Sequence, residues 1–121
     1  MKYLPLAARV CLAAIFINAG IQHLLNFSGF VETIGQMLPL APLIAAATII
    51  FQLLGAASVL LGYQVKIGAT LLIVFLIPAT LLFHNFIADP GQLNAFLKNV
   101  GLIGGLLLLI YTGPGAVSLS K

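Results

Sequence analysis

The spacing of the charged residues constrains the fold of this chain more than any other feature of its sequence. Residues 10–31, 33–65, 67–88 and 99–120 carry no charge. A helix needs about 20 apolar residues to cross the hydrocarbon core of a bilayer, which is about 30 Å thick. Each uncharged stretch is therefore long enough for one membrane span, and the stretch 33–65 also has room for a loop.

The composition excludes the usual classes of water-soluble protein. Of the 121 residues, 62% are hydrophobic and 6% are charged, whereas a soluble domain averages about 25% charged residues. A domain of this size leaves much of its surface exposed and could not hide so much apolar area from water. The five cations outnumber the two acids but are scattered singly, so they form no patch for nucleic acid. We therefore expect the apolar surface of the protein to contact the lipid bilayer.

The sequence has few ligands for redox or metal chemistry of its own. The single cysteine, Cys11, cannot form a disulfide or a Cys-x-x-Cys pair within the chain. Two acids and two histidines are also too few to suggest a self-contained metal centre, and no metal site is predicted.

These patterns predict an all-α integral membrane four-helix bundle that forms a single transmembrane domain over residues 1–121. The expected spans lie near residues 6–25, 43–62, 66–88 and 93–111. In residues 28–38, apolar residues recur at helical spacing with polar residues between them, which is typical of a short amphipathic helix at a membrane surface. A plain loop between helices one and two is the alternative for this segment.

The distribution of positive charge predicts the orientation, because cations concentrate on the cytoplasmic side of membrane proteins. Four of the five cations fall on one side of the predicted bundle: Lys2, Arg9, Lys66 and Lys121. Lys98 falls on the other side together with both acids. The sequence therefore predicts that both termini are cytoplasmic, the N-in/C-in orientation.

Polar side chains inside the membrane carry most of the functional information, because each is costly to place at that depth. Eight of them fall at the midplane or on its non-cytoplasmic side: Asn18, Gln22, His23, Gln52, His84, Asn85, Lys98 and Asn99. They predict a polar pocket that opens outward. The alternative is that they only hydrogen-bond one another and hold the helices together.

Other residues in the spans have structural interpretations. Arg9 is expected to extend its guanidinium to the inner membrane surface, and Lys98 is expected to pair with Asp89 or to reach lipid phosphate. Small residues let helices approach each other closely in lipid. Close packing of the last helix is therefore expected at Gly101, Gly104 and Gly105.

Short motifs follow one another along nearly the whole chain. Helix one carries Arg9 and Phe16-Ile17-x-Ala19-Gly20, and helix two carries Leu53-Leu54-Gly55-Ala56 and Leu61-Gly62. Later motifs are Phe83-His84-Asn85-Phe86, Phe96-Leu97-Lys98-Asn99, Gly104-Gly105 and Thr112-Gly113-Pro114-Gly115. In order and spacing the chain resembles the DoxX/DoxD-like family of small four-helix bacterial membrane proteins, which includes YqjF-like inner membrane proteins.

Two positions depart from the family pattern. In that pattern a lysine commonly follows the Gly-Ile of helix one, and a glutamate precedes the glycines of helix two. The corresponding residues here are His23 and Gln52. Losing both charges together fits two side chains that approach each other, because one buried charge alone is expensive. The change also removes the acid that a proton-coupled mechanism would use.

The resemblance implies a protein of the bacterial inner (cytoplasmic) membrane or of a related internal membrane. The expected function is that of an accessory or structural subunit of a larger membrane complex, associated with redox chemistry, rather than an enzyme acting alone. Its expected partners are other membrane protein subunits, because short loops leave little protein outside the bilayer for a catalytic domain.

Three alternatives remain open. One is the quinone-binding component of a membrane oxidoreductase such as thiosulfate:quinone oxidoreductase, in which His84 or Lys98 would hydrogen-bond the quinone. Another is a pigment-binding subunit, with His23 or His84 as the axial ligand of a haem or chlorophyll. A small transporter is disfavoured by the absence of buried acids and of a clear inverted repeat.

Overall fold

The described part of the chain is almost entirely helical. The computed structural model describes residues 2–83, 87 and 89–119, and for Phe83 the description covers the backbone alone. The helices are α1 Leu4–Leu25, α2 Phe27–Gly35, α3 Ala41–Leu61, α4 Val65–Phe83 and α5 Leu93–Thr112, with a 3-10 turn at Pro90–Gln92. No strand occurs within these described residues.

Four of these helices, α1, α3, α4 and α5, are long and apolar enough to cross a membrane. They confirm the predicted all-α, four-span fold. Two of them begin two residues before the expected start, because Pro5 and Pro42 lie in their first turns, where proline is tolerated. The expected end of the third span, residue 88, lies outside the described residues.

The amphipathic helix expected between the first two spans is α2, so the alternative of a plain loop is wrong. It follows α1 after the single residue Asn26 and ends at Gly35, earlier than the expected end of the segment. One face packs on α3, where Ile34 is buried against Ala41 and Ala45. Glu32 lies on the opposite, exposed face. With its apolar face on α3 and its polar face exposed, α2 lies across the end of the bundle where α1 ends and α3 begins.

α3 and α4 form a tight antiparallel hairpin. Gly62 ends α3 with a left-handed φ of 71°, and the Ser58 hydroxyl donates to the carbonyls of residues 63 and 64 at 2.5 and 3.0 Å. The helices are closest near Gly55, where a Cβ would lie 2.8 Å from Cγ of Leu72 and 2.9 Å from the carbonyl oxygen of Gly68. Glycine at position 55 therefore sets the spacing of the two helices near the turn.

The hydrophobic core leaves one side of the bundle open. Its buried residues come from all four long helices and include Ala13, Phe16, Val59, Leu72 and Leu106. α1 packs on α3, α3 on α4 and α4 on α5, but α1 and α5 share few contacts. The first and last spans therefore border a gap instead of closing a ring.

This gap changes the interpretation of the glycines in α5. A Cβ on Gly101 or Gly104 would meet no described atom within 4 Å, whereas one on Gly105 would lie 3.2 Å from Leu12. The expectation of close packing is wrong for Gly101 and Gly104, because no described helix covers the face of α5 that carries them.

Arg9 is buried rather than extended to the membrane surface, so that expectation is also wrong. Its side chain is 1% exposed. Nη1 donates to the carbonyls of Val59 and Leu60 at 3.4 and 3.1 Å, and Nη2 donates to the carbonyl of Val117. The last turn of a helix has free carbonyls and a partial negative charge. The end of α3 and the chain after α5 therefore provide the acceptors that the guanidinium needs.

Candidate functional site

A cavity of about 710 Å³ lies between α1, α2, α4 and α5, and α3 contributes one side chain to its wall. Much of the wall is apolar, with Phe16, Phe75 and Leu76 among its residues. Ligand sites in proteins have volumes of about 300–1,000 Å³, mostly apolar walls and a few polar groups. Five of the eight predicted site residues lie on this wall: Gln22, His23, Gln52, Lys98 and Asn99.

His23 and Gln52 form the polar centre of the cavity. Nδ1 of His23 lies 3.4 Å from Oε1 of Gln52. The imidazole ring stacks on the ring of Phe30 in α2, with centroids 3.9 Å apart and planes 8° from parallel. Gln52 is 2% exposed, so a buried partner and an aromatic ring both orient the imidazole. The two residues that depart from the family pattern are therefore in contact.

This contact determines what the imidazole offers to a ligand. When Nδ1 carries the proton and donates to Gln52, Nε2 keeps a lone pair and is an acceptor. Among the described residues, neither Nε2 of His23 nor Nε2 of Gln52 has a hydrogen-bond partner, and neither atom is sealed inside the protein. If the amide of Gln52 rotates by half a turn, its Nε2 donates to an unprotonated Nδ1 of His23. Nε2 of His23 then carries the proton and is a donor, and Oε1 of Gln52 is a free acceptor. The pair can therefore meet either a donor or an acceptor.

α5 adds a cation and a further amide to the wall. Lys98 is exposed, and the carboxylate of Asp89 instead accepts from the backbone N–H of Gly91 at 3.0 Å. The expected pairing of Lys98 with Asp89 is therefore wrong. Asn99 is 6% exposed, and its Nδ2 donates to Oγ1 of Thr80 at 3.1 Å. The bond between Asn99 and Thr80 fixes α5 against α4 beside the cavity. The exposed ammonium of Lys98 is available to a ligand.

Of the other predicted site residues, only Asn18 lies in the described part of the chain, and it does not join this group. Asn18 is exposed and does not lie on the cavity wall. Its Oδ1 accepts a hydrogen bond from Nε2 of Gln22 at 3.3 Å, one helical turn away. His84 and Asn85 lie outside the described residues. The structure thus brings together those predicted residues that lie on α1, α3 and α5, apart from Asn18.

The wall also includes residues that the sequence does not predict to take part, among them Asn26, Phe30 and Thr33. Phe30 and Thr33 lie three residues apart and share a face of α2. The amphipathic pattern of residues 28–38 predicts a helix, but it does not show that one face would cover the end of α1. That placement depends on the single-residue connection at Asn26.

The donors on the wall suit an organic ligand better than a bare metal ion. His23 is the only histidine, cysteine or acid among the described residues of the wall. In the described part of the chain, no three such side chains come together as a metal site would require. A single imidazole could hold one axial position of a larger cofactor, with Gln52 orienting it.

Comparisons with known proteins place the chain among small membrane proteins. It is 30% identical to inner membrane protein YphA of Escherichia coli, over 98% of this chain and 89% of that protein. It is also 30% identical to inner membrane protein YqjF of Escherichia coli, over 96% of this chain and 88% of that protein. The Surfeit locus protein 4 homolog of Drosophila melanogaster is 30% identical over 99% of this chain, which spans 41% of that longer protein.

No solved structure matches the chain. The two bacterial relatives are inner membrane proteins, and four helices have the length and hydropathy of membrane spans. Together these findings confirm the predicted location in the inner membrane. Residues 4–85 match DoxX, and the match extends from the first span to the end of the third. The chain belongs to the DoxX family.

Proposed function

We propose that this protein binds a quinone in the cavity as a non-catalytic component of a membrane oxidoreductase. The observation that carries the proposal is the contact between His23 and Gln52 at the polar centre of a largely apolar cavity. A quinone ring is flat and apolar on its faces and polar only at its edge. Such a ring needs apolar walls and a few polar groups in fixed positions.

The polar groups fit both redox forms of the ring. The ammonium of Lys98 only donates, so it suits a quinone carbonyl oxygen. The His23–Gln52 pair can accept from a quinol hydroxyl or donate to a quinone oxygen, depending on the tautomer. The aromatic side chains of Phe16, Phe30 and Phe75 supply apolar surface for the ring. These roles are those of binding and orientation, and they require no redox chemistry from the protein.

The gap between α1 and α5 supplies a route from the bilayer to the site. Ile15 of α1 and Leu102 of α5 both lie on the cavity wall, and Ile15 is 42% exposed. A quinone dissolved in the bilayer could therefore reach His23 without crossing the polar headgroup region.

Catalysis is assigned to a partner subunit. The connections between the described helices are short, and the uncovered face of α5 with Gly101 and Gly104 suits close approach of another helix. Purification in a mild detergent is expected to retain a partner chain. Recovery of this chain alone, in each mild detergent and after cross-linking in the native membrane, would contradict this part of the proposal.

Quinone binding can be tested by photo-cross-linking in lipid nanodiscs. The probe is a fully substituted benzoquinone with a diazirine on a ring substituent, because a fully substituted ring cannot add to the exposed thiol of Cys11. Mass spectrometry is expected to locate the label on peptides that line the cavity. An excess of the same quinone without the diazirine should compete it away.

Matched variants connect the label to the site. His23→Leu and Gln52→Leu are each expected to lower the affinity for the probe about tenfold, the effect of losing about 1.4 kcal/mol of hydrogen bonding. Asn94→Leu is the control, because Asn94 is an exposed amide on α5 that does not lie on the wall. Label that is absent from the cavity, or equal in all these variants, would refute quinone binding at this site.

A further inference from the structure

A second recess has no residue of α1 or α5 among the described residues of its wall. It has a volume of about 240 Å³ and is bounded by α2, α3 and α4. Ala47 and Phe51 of α3 face Val74 and Leu82 of α4 across it. Among the described residues of its wall, Thr48 is the only one with a polar side chain, so this part of the recess offers almost no hydrogen bonds. We refer to it as the apolar groove.

The apolar groove and the cavity share part of their walls. Phe30 of α2, with Phe75 and Ala79 of α4, lies on both. Phe30 is the residue that stacks on His23. Two aromatic side chains and one methyl group therefore separate the polar centre of the cavity from an apolar space at the lipid-facing surface.

The packing of α3 and α4 explains where the groove lies. The two helices are in close contact at Gly55 and Gly68, near their turn. The groove occupies the other end of the pair, beneath α2. Pro78 lies on its wall inside α4, where a proline removes one backbone hydrogen bond and favours a bend. The close packing of α3 and α4 near their turn and the proline inside α4 thus account for the space between the two helices at the other end.

We infer that the apolar groove binds the hydrocarbon tail of the molecule whose polar head occupies the cavity. The inference rests on the proposed quinone binding and adds the position of the tail. A polar-headed, long-tailed lipid matches the two spaces, because one has hydrogen-bonding groups and the other has essentially none. This arrangement requires the rings of Phe30 and Phe75, which separate the two spaces, to move aside when the tail binds. A tail that instead leaves between α1 and α5 is the competing arrangement.

A tail-labelled probe distinguishes the two arrangements. The probe is a fully substituted benzoquinone with a decyl chain that carries a diazirine at its far end, cross-linked to the whole protein in lipid nanodiscs. The label that an excess of the same quinone without the diazirine removes is expected on the segments of α3 and α4 that line the groove, near Ala47 and Val74. Competable label near Ile15 and Leu102 instead would place the tail in the gap and overturn the inference.

Filling the groove supplies the second measurement. Ala47→Phe is expected to lower the affinity for the decyl quinone about tenfold, since excluding about two methylene groups from an apolar site has that effect. Affinity for the same ring with a methyl group in place of the decyl chain should stay unchanged. Ala57→Phe is the matched control, because Ala57 is also exposed on α3 but lies on neither space. Val74→Phe repeats the test from α4.

The outcomes separate this inference from the proposed function. Equal effects of Ala47→Phe and Ala57→Phe on the decyl quinone, with cavity labelling by the ring probe intact, overturn the tail position alone. Failure of the ring probe to label the cavity overturns quinone binding, and the inference that rests on it.

Discussion

Arg9 in the first helix donates from Nη1 to the carbonyl oxygen of Leu60 at 3.1 Å, across a sequence separation of 51 residues. A third carbonyl, that of Val117, accepts from Nη2. One buried cation therefore joins the first span, the end of the second span and the segment after the last helix. No carboxylate takes part in this arrangement among the described residues, since the acceptors are all backbone carbonyls.

Arg9→Met is expected to lower the free energy of unfolding by about 3 kcal/mol, because the variant loses hydrogen bonds from a charged donor and leaves carbonyls unpaired. Thermal unfolding in detergent, followed by circular dichroism, measures the effect. Amide exchange at Leu119, whose N–H donates to Leu61 at 3.1 Å, should also become faster. Lys66→Met is the control, because Lys66 is an exposed cation. Equal melting temperatures for the two variants would contradict a structural role for Arg9.

Gly62→Ala is expected to destabilise the fold by about 1–2 kcal/mol, the cost of a left-handed backbone for a residue with a Cβ. The backbone φ at Gly62 is 71°, and the added methyl group would also crowd Arg9 and Ser118. Gly104→Ala provides the contrast, since its Cβ enters open space and alanine favours a helix over glycine by about 0.5–1 kcal/mol. Opposite shifts in melting temperature are therefore expected for the isolated protein.

Loss of stability in Gly104→Ala would show that something packs on that face of α5. Carried out on the protein in its native membrane, the same substitution becomes a test of the proposed partner. Reduced recovery of a partner chain, with normal stability of the isolated variant, would support docking at this face.

His23→Lys and Gln52→Glu are expected to be coupled, because the two side chains are in hydrogen-bond contact at 3.4 Å. His23→Lys alone places an ammonium beside a neutral buried amide and should lower the melting temperature. Adding Gln52→Glu supplies the opposite charge and should restore most of the loss. A double-mutant cycle is expected to give a coupling of about 1–3 kcal/mol. Additive effects of the two substitutions would show that the residues do not interact.

Thr80→Val is expected to destabilise the protein by about 1 kcal/mol, since Asn99 then loses its acceptor at a buried position. The Thr80–Asn99 hydrogen bond is 3.1 Å long and buried on both sides. The double variant Thr80→Val with Asn99→Leu should recover stability relative to Thr80→Val alone, because it removes both polar groups. Thr70→Val is a control on the same helix, where the hydroxyl donates to its own helix at an exposed position.

Much of the fold can be predicted from the sequence because the bilayer imposes a simple rule on charge. The uncharged stretches predict the four spans, and residues 28–38 predict α2 by their amphipathic spacing. The contact of His23 with Gln52 follows from the paired departure from the family pattern. Each of these predictions depends on local sequence or on one pair of positions.

The errors concern contacts between distant parts of the chain. The sequence predicts that Arg9 extends to the membrane surface because long cationic side chains near a helix end can reach the headgroups. Its acceptors come from the end of α3 and from Val117, 108 residues away. Gly104 resembles a packing residue by type, but α1 and α5 leave its face uncovered. Phe30 lies on the cavity wall because α2 follows α1 after the single residue Asn26. The surroundings of Arg9, Gly104 and Phe30 all depend on how distant helices pack, which local sequence does not determine.

The link between Arg9 and Val117 has a consequence for biogenesis. α1 leaves the ribosome with the guanidinium of Arg9, a charge that is costly to bury in a membrane while it has no acceptors. One of its acceptors is synthesised 108 residues later. Until then, water, lipid phosphate or the insertion machinery must solvate the cation. A segment translated long after α1 thus completes the hydrogen bonding of that helix, and changes that displace the carbonyl of Val117 should slow its assembly.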